Sequence, residues 1–502
     1  MIYSTIREIL VQAQLHFGKE DAIRYKISKN EIAAKSYNDL RNDSERFSAA
    51  LQVLGEQGSH VALTGMTSYA WLVAYFGITG SGSVAVPLDV SLPSEEMCNL
   101  IDRSDATVLI VDEVRHDVIA QAKSLCTKLK YVISIQKEQN DKDVLSFWQL
   151  VMTQNPGFSY EPTPEQLATI MFTSGTTGKS KGVMLTHRNL AENATCFDMK
   201  FPERSVLMTV LPIHHAYCLT MDILKGLSEG SVVCINDSLI RMEKNIRLFQ
   251  PNIILMVPLM IETLARKLEE ANSFTPEVVK QMVFGKQFHT ICSGGAFLPP
   301  SMLAVFEKYG ISILQGYGMT ECSPVISTTM SWNIRKGSVG QLIPNCEAKV
   351  VDGELWIRGS SVMQGYYKMP EETKEALKDG WLCTGDLGYV DEDGFVYLTG
   401  RKKNLIITKN GENVSPEELE NKIGEQYLIK EILVRENEGV IEAEIFPDKE
   451  YAETRGIKDI GTALQEIIDR YNESVPSYKK VYRLKLRDKE FDKTPSKKIK
   501  RY

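Results

Sequence analysis

The sequence predicts an α/β protein. A large N-terminal domain, with parallel-sheet subdomains and a small β subdomain, precedes a small α+β C-terminal domain. Short apolar runs alternate with helical patterns up to about residue 330, which is typical of parallel sheets covered by helices. Short alternating runs separated by Asp-Gly follow from Gly340 and predict the β subdomain. A chain of 502 residues is long enough for about three or four packing units.

The N-terminal segment, residues 1–21, predicts an amphipathic helix. Arg7 and Glu8 lie inside its apolar stripe, so it lacks the uncharged core of a secretion signal. We therefore expect a cytoplasmic protein. The nine cysteines agree, because they are odd in number and form no Cys-x-x-Cys pair, which indicates free thiols in a reducing compartment and no zinc site.

The segment Val61–Leu88 contains no charged residue and is long enough to cross a bilayer. Four glycines interrupt it, and its parts VALTG, YAWLVAYFGITGSG and SVAVPL predict a strand, a helix and a strand. We therefore predict no membrane span. The net charge of −7 gives the whole chain no electrostatic reason to bind nucleic acid.

The later elements follow the same alternation. Strands are predicted at ATVLIVD, YVISI, SVVCIND, NIILMVP, HTICSGG and SILQGYG, and helices at EVRHDVIAQAKSLCTKL and LMIETLARKLEEA. The β subdomain contains EAKVVDGELWIRG and DLGYVDEDGFVYLTGR. The C-terminal domain contains PEELENKIGEQ, EILVREN, EAEIF and a helix near TALQEIIDRYNESV. We place the boundary between residues 1–400 and 401–502, because the charged run Gly400-Arg401-Lys402-Lys403 suits a hinge.

Residues 173–182, TSGTTGKSKG, follow the apolar run LATIMF and predict a loop that binds a polyphosphate. Glycines let backbone N–H groups converge on phosphate oxygens, hydroxyls add donors and a lysine adds charge. A P-loop NTPase is excluded, because that motif needs a glycine where this chain has Thr173. A Ser/Gly-rich linker is the alternative. The predicted phosphate contacts are Thr173, Ser174, Gly175, Thr176, Thr177 and Lys181.

This loop resembles the phosphate loop of the adenylate-forming superfamily, which includes acyl-CoA synthetases, aryl-CoA ligases, peptide-synthetase adenylation domains and luciferases. Further matches follow in the expected order, from about residue 165 to the end of the chain. SGGA at 293–296 resembles the adenine-side turn, and QGYGMTE at 315–321 resembles the next motif. The resemblance implies ATP as substrate, with nucleotide contacts from Gly294, Gly295, Ala296, Gln315, Gly316, Tyr317 and Gly318.

The resemblance also assigns roles to single side chains. Tyr317 can offer an aromatic face to adenine, Thr320 a hydroxyl to phosphate, and Glu321 an oxygen ligand to Mg²⁺. Thr320 and Glu321 are therefore counted as catalytic. Downstream, Asp386 and Arg401 match the pair that holds ribose, with the Asp386 carboxylate accepting from both hydroxyls.

The resemblance implies that the C-terminal domain is mobile. Lys403 takes the hinge position, and Gly411, in the loop KNG, would allow close approach of a pantetheine arm. Lys498 matches the catalytic lysine, a cation that would bridge the attacking carboxylate and the α-phosphate. Residues 479–502 hold eleven Lys and Arg against three Asp and Glu, so most of these cations are expected to be solvated.

Two residues depart from the family pattern. Lys497 replaces the usual glycine before the catalytic lysine, which leaves the geometry of that loop and the choice between neighbouring lysines open. Ser180 replaces the usual proline of the phosphate loop and should make the loop less rigid.

The implied reaction has two halves. A carboxylate attacks the α-phosphorus of MgATP and pyrophosphate leaves, and then a thiol, with CoA favoured, opens the acyl-adenylate. Because Lys498 and Gly411 lie on the same small domain, we hypothesise that rotation about Lys403 exchanges them at the active site.

Residues 211–217, LPIHHAY, predict the class of acid. Family members that adenylate amino acids carry an aspartate here, whereas this chain has His214 and His215. His215 is predicted to line the site near the carboxylate, and the run NIILMVPLM to wall the acyl tunnel. A medium-chain or long-chain fatty acid is favoured. The two histidines are not expected to bind a metal, because neighbours on a strand point to opposite faces.

Several alternatives stay open at this point. An aryl-CoA ligase or a ligase that loads an acyl carrier protein fits the same motifs, and the basic C-terminus suits either phosphorylated CoA or an acidic carrier protein. A luciferase-like oxygenase or an inactive nucleotide-binding regulator shares part of them. No carrier domain follows Tyr502, so the acceptor is expected to be separate. The sequence leaves open whether the protein is a monomer or a dimer.

Overall fold

Strands and helices alternate through most of the chain in the computed structural model, which describes residues 1–173, 180–270, 274–408, 412–493 and 499–501. The helices are, in chain order, α1 (Ile6–Phe17), α2 (Tyr37–Val53), α3 (Tyr69–Gly80), α4 (Ser94–Arg103), α5 (Asp117–Leu125), α6 (Phe147–Met152), α7 (His187–Thr195), α8 (Gly226–Ser228), α9 (Met242–Phe249), α10 (Pro258–Glu270), α11 (Pro276–Val283), α12 (Pro300–Glu307), α13 (Pro370–Ala376), α14 (Pro416–Ile423), α15 (Lys449–Thr454) and α16 (Ile460–Glu473).

The strands are short, and most have two to seven residues. In chain order they are β1 (Asp21–Lys26), β2 (Ile32–Ser36), β3 (His60–Thr64), β4 (Val84–Leu88), β5 (Ala106–Val111), β6 (Tyr131–Ser134), β7 (Leu145–Ser146), β8 (Leu167–Thr173), β9 (Lys181–Thr186), β10 (Val206–Thr209), β11 (Val232–Ile235), β12 (Ile253–Met256), β13 (Thr290–Ser293), β14 (Ser312–Gly318), β15 (Val325–Thr328), β16 (Gln341–Leu342), β17 (Cys346–Val351), β18 (Glu354–Gly359), β19 (Gly365–Tyr366), β20 (Leu377–Lys378), β21 (Trp381–Val390), β22 (Val396–Arg401), β23 (Ile406–Ile407), β24 (Asn413–Val414), β25 (Ile429–Asn437), β26 (Val440–Pro447) and β27 (Arg483–Leu486).

The chain divides into two units. The first contains Met1–Ala296, Met302–Ala348 and Ile357–Leu382, and the second contains Phe297–Ser301, Lys349–Trp356 and Cys383–Tyr502. The predicted domain boundary between residues 400 and 401 stays a prediction.

An eight-stranded sheet of the first unit carries the phosphate-loop motif. Its strand order is β19-β9-β8-β4-β3-β5-β6-β7, and the strands from β8 to β7 run parallel. β9 and β19 add antiparallel strands at one edge, so the hairpin β8–β9 places the motif at the end of two paired strands. Apolar side chains on one face pack against α4 and α5 and form a core.

A nine-stranded sheet of the first unit carries the glycine-rich motifs. Its order is β16-β15-β14-β13-β12-β10-β11-β1-β2. The six consecutive strands from β14 to β1 in this order run parallel to one another. The predicted α/β class with parallel sheets is therefore confirmed.

The segment without charge, Val61–Leu88, forms β3, α3 and β4 as predicted. All twelve residues of α3 are buried, which explains why this helix has no polar face. Among the residues that the structure describes, no helix is long and apolar enough to span a bilayer.

The second unit contains its own apolar core. A three-stranded sheet, β25-β26-β27, packs its apolar side chains against α14 and α16. The Asp-Gly segments form β17, β18, β21 and β22, in agreement with the predicted turns.

Candidate active site

The phosphate-loop motif begins and ends on paired strands. Thr173 is the last residue of β8, and it pairs with Lys181, the first residue of β9. Ser174, Gly175, Thr176 and Thr177 lie outside the described residues, so their phosphate contacts stay predictions. The two ends of the loop are held side by side, which fixes where the loop leaves the sheet.

Arg103, which the sequence did not single out, anchors the end of this loop. Its Nη2 donates to the carbonyl oxygen of Ser180 at 2.7 Å, and its guanidinium lies 5.6 Å from the centroid of the Phe172 ring. No local motif marks this residue, because its partner is 77 positions away in the chain.

The adenine-side turn and the next motif meet at one edge of the nine-stranded sheet. β13 and β14 are parallel neighbours in which Ser293 pairs with Gln315, so their carboxyl ends lie together. Gly295 follows with φ of 85°, a conformation that glycine adopts without strain. The Tyr217 ring packs closely against Gly294, since a Cβ at this glycine would lie 3.0 Å from the ring. Gly295 and Ala296 are exposed at this edge.

Within β14, Tyr317 is buried, with 7% of its surface exposed. Gly318 is required by packing, because a Cβ there would meet the carbonyl oxygen of Pro324 at 1.9 Å. Gln315 is fixed through its backbone, where its N–H donates to Thr329 Oγ1 at 2.7 Å. Gly316, in contrast, has room for a Cβ, with its nearest neighbour, Ser327 O, at 3.6 Å.

Thr320 and Glu321 lie in a 3₁₀ turn, Thr320–Cys322, that follows β14. The Glu321 carbonyl oxygen accepts from the Met363 N–H at 2.9 Å. Its side-chain Oε1 accepts from the Tyr366 hydroxyl, also at 2.9 Å. The carboxylate is only partly buried and keeps acceptor positions for a ligand.

Two asparagines of α7 hold this turn against the segment that precedes β19. The Asn193 side chain donates to Cys322 O at 3.1 Å, Val325 O at 2.8 Å and Ser361 Oγ at 2.8 Å. Asn189 donates to Ser360 O at 2.7 Å. Because these amides are buried and paired, the turn that carries Glu321 is rigidly placed.

The prediction that His214 and His215 lie on a strand is wrong. β10 ends at Thr209, and the histidines lie in a turn in which His215 N–H donates to Pro212 O at 3.1 Å. Their rings are therefore 4.3 Å apart instead of on opposite faces. His214 Nε2 lies 3.7 Å from Asp89 Oδ2, a residue that sequence reasoning did not identify.

Burial governs the protonation of both histidines. It lowers the pKa of His214 to about 3, with a further contribution from His215, and it also lowers the pKa of His215. Both rings are therefore neutral near neutral pH. His215 is placed to donate or accept a hydrogen bond without adding a charge.

In the second unit, Asp386 and Arg401 face each other across β21 and β22. Arg401 Nε lies 2.7 Å from Asp386 Oδ1. The Asp386 side chain is 8% exposed and that of Arg401 is 40% exposed. The predicted ribose-binding pair is thus brought together, although its contact with ribose stays a prediction.

Neighbouring groups fix this pair in place. Asp386 N–H donates to Thr384 Oγ1 at 3.0 Å, and the Thr384 hydroxyl donates to Leu355 O at 2.7 Å. Glu354 accepts from the Gly385 N–H and pairs with Lys402, each at 2.9 Å. These contacts fix the backbone of Asp386, and Arg401 orients its carboxylate.

Gly411, with the rest of the KNG loop, and Lys498, with Lys497, lie outside the described residues. The residues flanking Lys498 are well anchored: Lys493 and Ile499 form an antiparallel bridge, and Lys500 N–H donates to Asp492 O at 2.8 Å. Arg501 pairs with Glu417 at 3.3 Å. The catalytic assignment of Lys498 stays a prediction.

The chemistry of Glu321 fits a magnesium ion. Among the described residues, no group of three or more His, Cys, Asp or Glu side chains could hold a metal by itself. Mg²⁺ characteristically binds one or two carboxylates together with substrate phosphates, and a single partly exposed carboxylate meets that requirement.

Comparison with known proteins supports the resemblance. A family model described as AMP-binding enzyme matches residues 12–367, and one described as AMP-binding enzyme C-terminal domain matches residues 403–502. A long-chain-fatty-acid–CoA ligase of Salmonella typhimurium is 29% identical over 487 residues, covering 86% of this chain and 82% of the relative. A long-chain-fatty-acid–CoA ligase of Bacillus subtilis is 27% identical, with the same coverage.

Solved structures of low identity share the fold. The anthranilate CoA ligase AuaEII in complex with anthranoyl-AMP has a TM-score of 0.83 at 21% identity, over 99% of this chain and 96% of that chain. ATP-bound MatB from Rhodopseudomonas palustris has a TM-score of 0.83 at 24% identity, over 99% of this chain and 97% of that chain. The predicted resemblance to the adenylate-forming superfamily and the predicted class of acyl-CoA-synthetase-type ligase are confirmed, and the chain belongs to the AMP-binding enzyme family.

Proposed function

We propose that the protein activates a carboxylic acid with ATP, releases pyrophosphate, and transfers the acyl group from the acyl-adenylate to a thiol, with CoA as the favoured acceptor. One observation carries this proposal. The strand β9, which follows the phosphate-loop motif, lies beside β19, whose Tyr366 hydroxyl donates to Glu321. The Lys181 ammonium lies 4.7 Å from the centroid of the same Tyr366 ring, so Lys181 and Glu321 contact one side chain, which supports a shared site for phosphate and Mg²⁺.

The first half-reaction needs charge neutralisation more than covalent chemistry. In the proposed mechanism, backbone N–H groups and hydroxyls of the phosphate loop hold the β- and γ-phosphates, and Glu321 would hold Mg²⁺, which would neutralise phosphate charge. Asp386 and Arg401 hold the ribose. Lys498 draws the carboxylate and the α-phosphate together as the acyl–oxygen–phosphorus bond forms.

The neutral His215 suits a place beside the acyl carboxylate. A charged imidazolium would attract the carboxylate but would also weaken its nucleophilicity, whereas a neutral ring can orient one oxygen by a hydrogen bond. The pKa of His215 is lowered from its ordinary value, chiefly by desolvation, which favours the neutral ring.

We favour a medium-chain or long-chain fatty acid. Support comes from the 29% and 27% identical long-chain-fatty-acid–CoA ligases and from the absence of an aspartate in residues 211–217, which an amino-acid substrate would require. The buried apolar strand β12 supplies side chains suited to an aliphatic wall.

An aryl acid is the second candidate. The Tyr217 ring packs against Gly294 at the edge where β13 and β14 end, and an aromatic wall of this kind stacks well with an aryl group. The anthranilate CoA ligase AuaEII shares the fold. A carrier protein in place of CoA remains the alternative acceptor.

A panel assay tests the proposed function. Pyrophosphate release is measured with ATP and, in turn, medium-chain and long-chain fatty acids, aryl acids and amino acids, and then CoA or a phosphopantetheinylated carrier protein is added. We expect release with fatty acids and formation of acyl-CoA. A response to aryl acids alone would select the second candidate, and release that does not depend on any acid would refute ligase activity.

A further inference from the structure

Tyr366 lies between the phosphate-loop motif and Glu321. It belongs to β19, which pairs antiparallel with β9, so that Tyr366 is opposite Val183. The pairing is reinforced on both sides, because Gln364 N–H donates to Met184 O at 3.0 Å and Tyr367 N–H donates to Gly182 O at 2.7 Å. The position of Tyr366 relative to the end of the phosphate loop is therefore fixed by main-chain hydrogen bonds.

The tyrosine side chain contacts both predicted functional groups. The Lys181 ammonium lies 4.7 Å from the centroid of the Tyr366 ring, within range of a cation–π interaction. The hydroxyl donates to Glu321 Oε1 at 2.9 Å.

The Glu321 side chain is oriented by this hydroxyl, while its backbone is held separately by Met363. An ionised carboxylate accepts at two oxygens. With Oε1 held by the tyrosine, the carboxylate has one preferred orientation and keeps its second oxygen for a ligand. Partners of this kind typically contribute about 10-fold to 100-fold to metal affinity.

We propose that Tyr366 is a positioning residue that aims the Glu321 carboxylate at the divalent cation of a metal–nucleotide complex. This inference rests on one part of the proposed function, the assignment of Glu321 as the metal ligand, and not on the acid that the protein activates. In this role the hydroxyl acts on the cation through Glu321.

The test compares Tyr366→Phe with Tyr367→Phe. The first change removes the hydroxyl that reaches Glu321 and keeps the ring over Lys181. The second is the same change at the next residue, whose hydroxyl donates to Asp105 Oδ2 at 2.6 Å instead. Binding of Mn²⁺ in the presence of saturating ATP, followed by electron paramagnetic resonance, reports the metal without any need for catalysis.

We expect Mn²⁺ to bind about tenfold more weakly to Tyr366→Phe than to the wild type, and the affinity of Tyr367→Phe to stay within about twofold. Metal-free ATP should bind all three proteins alike. In a Glu321→Gln background, Tyr366→Phe should cause no further loss, because the carboxylate that it orients is gone.

Equal Mn²⁺ affinity in the two tyrosine variants would overturn the inference, and so would a full additional loss in the Glu321→Gln background. The result is independent of the acid panel. If no acid supports pyrophosphate release while Tyr366→Phe alone loses Mn²⁺, the proposed function fails and the positioning role stands. If the panel succeeds and Mn²⁺ binding is unchanged, only the positioning role fails.

Discussion

Asp386 and Arg401 illustrate how one pair of residues can be prepared for a ligand. The carboxylate is almost fully buried, yet one of its oxygens is taken by Arg401 at 2.7 Å. A ribose that arrives meets a carboxylate that Arg401 already orients, on a residue whose backbone N–H is held by Thr384. The entropic cost of ordering the side chain is therefore met before the nucleotide binds.

Asp386→Asn should weaken ATP binding. Hydrogen bonds to a charged acceptor contribute about 1.5–3 kcal/mol each, so the loss of charge should raise the KM for ATP by roughly tenfold or more. Asp391→Asn, in the turn between the same two strands, is the matched control and should leave the KM for ATP unchanged. Equal effects of the two changes would contradict a ribose contact at Asp386.

Lys498→Ala should separate the two half-reactions. Without the cation, adenylate formation should fall by about 100-fold or more, since removal of one group that stabilises charge in a transition state costs roughly 3 kcal/mol. Thiolysis of supplied acyl-adenylate should survive. Rapid-quench assays measure the rates of adenylate formation and of thiolysis separately. The same assays on Lys497→Ala decide which of the two neighbouring lysines is catalytic. Equal loss of both steps in Lys498→Ala would refute the assigned role.

Asp222 predicts how stability depends on pH. It is fully buried in the π-helical segment Cys218–Lys225, and burial raises its pKa well above the ordinary value, with the Cys218 thiol opposing that shift. The folded protein therefore keeps a proton that the unfolded chain loses above about pH 4. Stability contributed by this site should fall as pH rises from there toward the raised pKa.

Asp222→Asn removes this dependence. We expect the melting temperature of the variant, relative to the wild type, to be higher at about pH 8 than at about pH 5, because only the wild-type carboxyl must stay protonated on folding. Differential scanning fluorimetry at the two pH values measures the difference. If the melting temperatures of the variant and the wild type differ by the same amount at both pH values, the Asp222 carboxyl does not change its protonation on unfolding.

At the scale of elements, β14 shows which features of a strand its sequence alone predicts. The run SILQGYG predicted a strand, and the structure confirms it for Ser312–Gly318, while the nucleotide contact that the resemblance implies stays a prediction. The pattern does not distinguish the two glycines. Gly318 has no space for a Cβ because the backbone of Pro324 lies directly against it. Gly316 has space for a Cβ.

Gly318→Ala should therefore destabilise the protein, while Gly316→Ala should not. Overpacking against a fixed backbone costs about 1–3 kcal/mol or more, which corresponds to a fall of several degrees in melting temperature. Neither glycine has a positive φ, so the comparison isolates the clash. Similar melting temperatures for the two variants would mean that Pro324 moves away freely.

Contacts between elements distant in the chain were beyond prediction. β19 has two residues and pairs with β9 across about 180 positions of chain, so neither hydrophobic period nor turn residues mark it. Tyr366 and Arg103 were missed for the same reason. The histidine turn was misjudged because the apolar run before it resembles a strand, although Pro212 accepts a turn hydrogen bond from His215.

At the scale of the molecule, each of the two units has its own apolar core, and the predicted catalytic groups are divided between them. The phosphate-loop flanks, Glu321 and His215 belong to the first unit, and Asp386, Arg401 and Lys403 to the second. Burial and the neighbouring Arg401 and Arg501 lower the pKa of Lys403. Rotation of the C-terminal domain about Lys403 remains a hypothesis. It is tested by measuring the rates of adenylate formation and of thiolysis separately in Lys498→Ala.

The central claim is that the acid attacks the α-phosphorus of ATP. It is tested most directly with a substrate acid whose carboxylate carries oxygen-18, with the products analysed by mass spectrometry after complete turnover in the presence of CoA. Adenylation predicts one labelled oxygen in AMP and none in pyrophosphate. Label in inorganic phosphate together with ADP, or AMP without label, would contradict the account.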